Sequence, residues 1–327
     1  MKHAVVLLPF VIALCACTAE DARPEAPEAA AQSAAASADS GLAVTSLLGT
    51  TLLPPDPVPN QAKLAADLER ARAEWAAAPD DPDALIWVAR REGYLWRYHD
   101  AIALLSEGIE RWPDNARLYR HRGHRYITVR DFPRALADLE RAAHLIDGRP
   151  DEIEPDGAPN PAGVPRTTLA YNIWYHLGLV HYLQGDYEAA LAAYDELLKT
   201  SAADNDDSIV AVTDWMWMSL MRLGREEEAR ALLGKITPDM EILENHSYHR
   251  RLLVYKGLQP PESLLAPETA DTTDIATQGY GVANYYLVTG DAAKARHVLD
   301  KILAGPGWNA FGYIAAEADV HRMARAQ

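Results

Sequence analysis

Cysteine is nearly absent. The 327 residues hold two, Cys15 and Cys17, both close to the N-terminus, so a disulfide framework is excluded, and a chain of this length can bury enough apolar surface to fold without one. Long apolar runs are equally scarce: the longest, AVVLLPFVIAL at residues 4–14, falls short of the roughly 20 residues that a bilayer-spanning helix needs. Positive charge is in deficit, with 31 Lys and Arg against 47 Asp and Glu for a net charge of −16, which argues against a nucleic-acid partner. The signatures of common active sites are missing too, with no G-x-S-x-G, no P-loop and no H-E-x-x-H. The chain therefore reads as non-catalytic, with no cofactor expected.

What is present begins with a signal peptide, because Lys2 and His3 precede the apolar run and small residues follow it. Leu14-Cys15-Ala16-Cys17 resembles the bacterial lipobox. The resemblance implies that residues 1–16 are removed and that Cys17 is lipidated, anchoring the chain to the outer membrane on its periplasmic side. Thr18, rather than Asp, after the cysteine resembles that sorting. The mature chain would carry a charge of about −17 and no cysteine pair. Its acyl chains would exceed the two-signal threshold for stable attachment. Residues 17–42, rich in Ala, Pro, Glu and Ser without an aromatic, read as the lipidated N-terminus and a flexible linker. In residues 43–60, Leu47, Leu48, Leu52 and Leu53 are followed by Pro54, Pro55, Pro57 and Pro59, which forbid a regular helix. This segment is expected to lie extended on the folded body, and helical periodicity begins at Gln61.

From there the chain repeats itself. Ala101, Ala135, Ala190, Ala229 and Ala295 each follow a turn position, Trp96, Arg130, Gly185, Gly224 or Gly290, and precede a large apolar residue, Leu105, Leu139, Tyr194, Leu233 or Leu299. The interval from Ala101 to Ala135 is 34 residues, the period of the tetratricopeptide repeat. Trp174, Leu177 and Gly178 followed by Ala190 and Tyr194 match that repeat's pattern, and the chain resembles a bacterial tetratricopeptide-repeat lipoprotein. The resemblance implies an all-α fold, a right-handed α-solenoid of five to six helix pairs over residues 61–327. Its units fall at 82–115, 116–146, 171–204 and 210–240, with a degenerate one at 244–265 and another at 276–305. A capping helix at 308–325 would turn Trp308, Phe311, Tyr313 and Ile314 inward. Trp217, at a small-residue position, is expected to widen its helix pair.

Solenoids of this kind bind along their concave face, so the resemblance implies a protein or peptide ligand there, in a groove lined by Arg90 and Tyr94, then Arg117, Arg120 and His124, then Asn172 and Tyr175, then Asp214. The stretch RLYRHRGHRYITVRDF at 117–132 makes the first half of that groove basic. An acidic, proline-rich insertion at 147–166 supplies Asp147, Asp151, Glu152, Glu154 and Asp156 nearby. Two readings stay open: the insertion folds back and pairs with the arginines, or the arginines capture an anionic ligand. Tyr119, Arg122 and Tyr126 should face the helix interface, where Arg122 needs a carboxylate or must snorkel. His121, His124, His176 and His181 could be imagined around a metal, but flanking arginines would repel the cation. The EIEPDG stretch at 152–157 opens like a calcium loop, yet Gly163 stands where the closing Glu belongs. Glu244, His246 and His249 are read as a solvated or groove-lining helix. The rival to a binding scaffold is an enzyme processing a metal or small molecule with the Arg/His cluster and the insertion.

Overall fold

A computed structural model describes Met1, residues 41–265 and residues 272–325. The expected processing and lipidation at Cys17, and the linker up to residue 40, lie outside the described residues. A short antiparallel hairpin comes first, β1 (Val44–Thr45) against β2 (Thr51–Leu52), with Val44 opposite Leu52. Thirteen α-helices follow among the described residues: α1 (Gln61–Ala77), α2 (Pro82–Tyr94), α3 (Tyr98–Arg111), α4 (Ala116–Thr128), α5 (Phe132–Ile146), α6 (Leu169–Gln184), α7 (Tyr187–Leu197), α8 (Asp206–Arg222), α9 (Glu226–Leu232), α10 (His246–Tyr255), α11 (Thr272–Val288), α12 (Ala292–Leu303) and α13 (Phe311–Arg325). None is long and apolar enough to cross a membrane.

The helices pair because the sequence stops and restarts them at fixed places. The side chains of Asn115, Asp131, Thr168, Asp186, Asn205 and Asp291 each accept a backbone N–H from the first turn of the helix they precede, satisfying a donor that would otherwise be orphaned. Between the helices of a pair the chain passes through the left-handed region, at Gly185, Gly224 and Gly290 and also at Trp96 and Arg130. Small residues then let the pair close: a Cβ on Gly178 would stand 2.3 Å from the Tyr194 ring, and one on Gly123 2.8 Å from Leu139. The pairs α2/α3, α4/α5, α6/α7, α8/α9 and α11/α12 stack into an all-α repeat solenoid. In the degenerate unit only α10 is a full helix. Its partner is reduced to a 3-10 turn, Pro261–Leu264, because Pro260 and Pro261 cannot donate the bonds of a continuing helix. Trp217 stacks face to face on Tyr255, with ring centroids 3.8 Å apart and planes inclined by 9°, so its bulk is absorbed between α8 and α10.

The two ends of the solenoid meet. Trp308, Tyr313 and Ile314 are buried as expected of a cap, and Tyr313 donates to Leu303 O of the last repeat, but Trp308 packs well beyond it. Trp308 sits edge-on to Trp96 at 4.8 Å and to Tyr98 at 5.6 Å, in the first repeat. Its indole N–H donates to the carbonyl of Leu53, just past the N-terminal hairpin. Glu317 on α13 accepts two bonds from Arg130, at 3.0 and 2.8 Å, and one from the backbone N–H of Leu47. Arg322 donates to the carbonyl of Leu183 at the end of α6. Hairpin, early repeats and C-terminal helix are thus clasped together, and α13 fills part of the concave face.

Candidate functional site

Five prolines between residues 150 and 165 keep the insertion from becoming helical, so it runs as an extended strap. Its base is closed by a bridge between Ile153 and Thr168, with the Glu154 N–H donating to Thr167 O at 3.2 Å and the Leu169 N–H to Glu152 O at 2.8 Å. At its far turn the Asn160 carboxamide oxygen accepts the N–H groups of Ala162 and Val164, while its nitrogen donates to Val164 O and to Glu244. Beyond the turn, Arg166 pairs at 3.0 Å with Asp207, whose carboxylate also accepts the backbone N–H groups of Leu243, Glu244 and Asn245. The strap therefore spans the concave face from the first repeats to the segment leading into α10.

At the first two repeats it meets the basic residues. Glu154, almost fully buried, lies 3.1 Å from Arg120 Nε and 3.2 Å from His121 Nε2, and accepts a bond from Asn172 at 3.0 Å. Arg90 donates to the carbonyl of Pro155 at 2.8 Å, and Arg91 reaches that of Gly157 at 3.5 Å. Gly157 rests on Tyr94 so closely that a Cβ would fall 1.8 Å from the phenol oxygen and 2.7 Å from the Arg90 guanidinium. Of the insertion's five acidic residues, Glu154 alone pairs with these arginines. Asp151 instead accepts from the Ala170 N–H and from Ser201, and Asp156 from the Ala158 N–H.

The electrostatics follow from burial. Removal from water pushes the Glu154 carboxyl up, but Arg120 and His121 outweigh it and hold the group well below the usual carboxylate range. Burial and the adjacent Arg120 press His121 down to about 3. A neutral His121 carrying its proton on Nε2 fits its contacts, donating to Glu154 and accepting from Arg120 at Nδ1, 3.1 Å away. His124 and His176 pack against each other with ring centroids 4.5 Å apart and planes inclined by 40°, and both lie against Phe311 of α13, His176 edge-on. Burial drives His176 to about 3, and burial with Arg125 beside it holds His124 well below its ordinary value. Arg125 itself donates to His124 Nδ1 at 2.9 Å and leans over the Tyr98 ring. Among the described residues it forms no ion pair, and burial pushes its pKa down.

The residues expected along the groove thus divide. Arg90, Tyr94, Arg120 and Asn172 come together around the strap, with His124 beside them under α13. Arg117 stands at the edge and pairs with Asp83 at 2.8 Å. Tyr175 and Asp214 require a correction, since neither lines an open groove. Tyr175 is bonded to Tyr248 on α10 and to the Trp215 indole. Asp214 is fully buried and pairs at 2.8 Å with an equally buried Arg251. The reason is that α10, α11 and α13 fold onto this half of the face, so positions that look inward meet protein. Arg122 finds its carboxylate within its own helix pair, bidentate to Asp138 at 2.7 and 2.8 Å. Among the described residues no group of three or more His, Cys, Asp and Glu is placed to hold a metal ion. Arg125, Gly157, Arg130 and Glu317 were missed as determinants of the site. A readable signal existed for Arg130, a bulky residue at a turn position where later repeats carry glycine.

In comparison with known proteins, residues 171–201, which take in most of α6 and all of α7, match the tetratricopeptide repeat. No curated protein matches the chain in sequence. Among solved structures the chain is similar to YrrB, described as a TPR protein with an unusual peptide-binding site, at 15% identity and a TM-score of 0.40 over 80% of this chain and 100% of that one. It is also similar to a putative kinesin light chain of Podosopora anserina with nearly identical TPR-like repeats, at 12% identity and a TM-score of 0.40 over 73% and 96%. A further similarity is to the TPR domain of P58(IPK), at 12% identity and a TM-score of 0.28 over 82% and 96%.

Proposed function

From the tetratricopeptide-repeat match over residues 171–201 and the stacked helix pairs around it, we propose that the chain is a tetratricopeptide-repeat-domain protein, a non-catalytic scaffold that holds an extended protein or peptide segment on its concave face. The observation that carries this reading is that the face already holds one. An extended stretch of the chain's own backbone is gripped there through a carboxylate and two carbonyls by Arg120, Arg90 and Arg91. These are contacts to groups that any acidic extended segment offers, and main-chain recognition of this kind is a recurrent way to bind peptides. The histidines beside them are neutral, and His121 and His176 spend ring nitrogens on Glu154, Arg120 and the Asn172 carbonyl, which favours a positioning role over acid–base chemistry.

The test is co-isolation of partners from native membranes after crosslinking in cells. Arg90→Glu reverses charge on the concave face, whereas Arg141→Glu does so at a half-buried site on α5, where the arginine pairs with Asp114. Partner proteins recovered with the parent chain should be lost with Arg90→Glu and kept with Arg141→Glu. Equal recovery with both would reject the concave face as the binding surface.

The same proposal includes the anchor. Cys17 as a lipidated N-terminus, followed by a linker of low complexity, would suspend the scaffold from the outer membrane on the periplasmic side. Cys17→Ser should abolish incorporation of labelled fatty acid and move the protein from the membrane to the soluble fraction, whereas Cys15→Ser should leave both unchanged. Retention of label in Cys17→Ser would contradict the anchor.

A further inference from the structure

The strap grips the first two repeats in an unusual way. Its apolar side chains take little part: Ile153 is 65% and Val164 44% exposed. What holds residues 154–157 is the Glu154 carboxylate and the carbonyls of Pro155 and Gly157. The rest of the insertion is fastened elsewhere, by Asp151 at the start of α6 and by Asn160 and Arg166 near α8 and α10. Residues 154–157 can therefore lift from Arg90 and Arg120 while both flanks stay attached. The site is also under-neutralised. Arg90, Arg120 and Arg125 converge on it, His121, His124 and His176 are neutral there, and the strap brings one carboxylate to three guanidinium groups. A buried charge without a counter-ion is costly, so an anion that reaches Arg125 as well would gain what the strap leaves unused.

We propose that residues 154–157 are a displaceable internal occupant of this site, and that the partner replacing them is an acidic extended polypeptide segment, one carboxylate standing where Glu154 stands and a second reaching Arg125. This rests on the reading of the concave face as a surface that holds extended segments. It adds that the surface is self-occupied, so a partner competes with a tethered segment present at an effective concentration on the order of millimolar. Gly157 is the element that lets the strap lie down, because any side chain there collides with Tyr94.

The test uses the full-length chain and two fluorescent probes, an octapeptide with the sequence of residues 151–158 and octaglutamate. Gly157→Val leaves every charged group in place while forcing the strap off Tyr94. Glu154→Gln removes the internal carboxylate and serves as the second variant. Both should bind the octapeptide at least tenfold more tightly than the parent chain, with affinity falling as salt rises. Arg125→Ala in the Gly157→Val background should weaken octaglutamate about tenfold. Proteolysis between residues 150 and 166 reports whether the strap has detached. If the parent and both variants bind the octapeptide equally, the strap is no competitor, and this inference fails while the scaffold reading stands. If a detached strap leaves a face that binds neither probe, both fail. If octaglutamate binds equally with and without Arg125, the second carboxylate is refuted.

Discussion

Glu317→Ala should destabilise the fold by about 3–5 kcal/mol, the cost of leaving one partner of a buried ion pair uncompensated. The Arg130 and Glu317 side chains are 3% and 1% exposed, and three parts of the chain converge on the Glu317 carboxylate: Arg130 from the second repeat, Leu47 from the hairpin and α13 itself. Arg130 also donates to the carbonyl of Trp308 and holds φ at +64°, a conformation that costs a non-glycine residue on the order of 1 kcal/mol or more. The double substitution Arg130→Gly with Glu317→Ala should therefore be milder than Glu317→Ala alone, because it removes the orphaned charge and relaxes the turn. Urea denaturation of both variants and the parent decides this. A single-variant loss below about 1 kcal/mol would mean that the clasp contributes little.

Acid should unfold the protein at unusually mild pH. His121 and His176 are pushed down to about 3, and His124 well below its ordinary value, burial leading in each case. Below pH 6.5 the unfolded chain takes up protons at these positions that the folded chain refuses. Their contribution is thus complete above 6.5 and is lost as pH falls. Each proton is worth about 1.4 kcal/mol per pH unit. The groups facing the cluster are Arg90 and Tyr94 from α2, Arg120 and Arg125 from α4, Tyr175 from α6 and Glu154 from the strap. Glu154, held low, stays ionised throughout this window. Elsewhere Asp214, pushed up to about 7 by burial, works in the opposite sense and offsets about one proton. The net slope then rises from about 1 kcal/mol per pH unit at pH 6.5 to about 3 near pH 4.5, large against the 5–15 kcal/mol stability of a typical domain. His176→Phe, which keeps an aromatic ring edge-on to Phe311, should lower the slope by about one proton in urea titrations across that range. A flat profile would show that the histidines are solvated or already charged.

The repeat register was legible because it rests on local chemistry. Alanine and glycine at close contacts, Asp and Asn caps and left-handed turns each leave a fixed residue type at a fixed spacing, and the helices begin where those signals put them. That Arg122 faces the helix interface, and there needs a carboxylate or a way out to water, was legible for the same reason, and Asp138 on the adjoining helix supplies the carboxylate. The course of the concave face was not. Whether Tyr175 and Asp214 look onto solvent or onto α10, α11 and α13 depends on curvature accumulated over all the repeats, and no single residue encodes that. Trp96 and Arg130 came nearest to doing so. They occupy turn positions at positive φ that glycine takes in the later repeats, and their side chains are what the C-terminal segment docks against. For the strap, charge complementarity pointed to the right neighbourhood, but the choice of Glu154 over four other acids came from the bridge at Ile153 and Thr168 and from the fit of Gly157 on Tyr94.

The central claim is that the concave face of the first repeats is occupied by the chain's own strap. Hydrogen exchange of the Glu154 amide reads this directly, since its bond to Thr167 O ties the gripped segment to the strap's base, whereas the Leu169 amide, bonded to Glu152 O, belongs to the flank that stays attached. The Glu154 amide should be protected in the parent chain and exchange markedly faster in Gly157→Val, while the Leu169 amide and those of α11 and α12 keep their rates. Exchange of the Glu154 amide at an unprotected rate in the parent chain would show the gripped segment to be loose and would contradict the account.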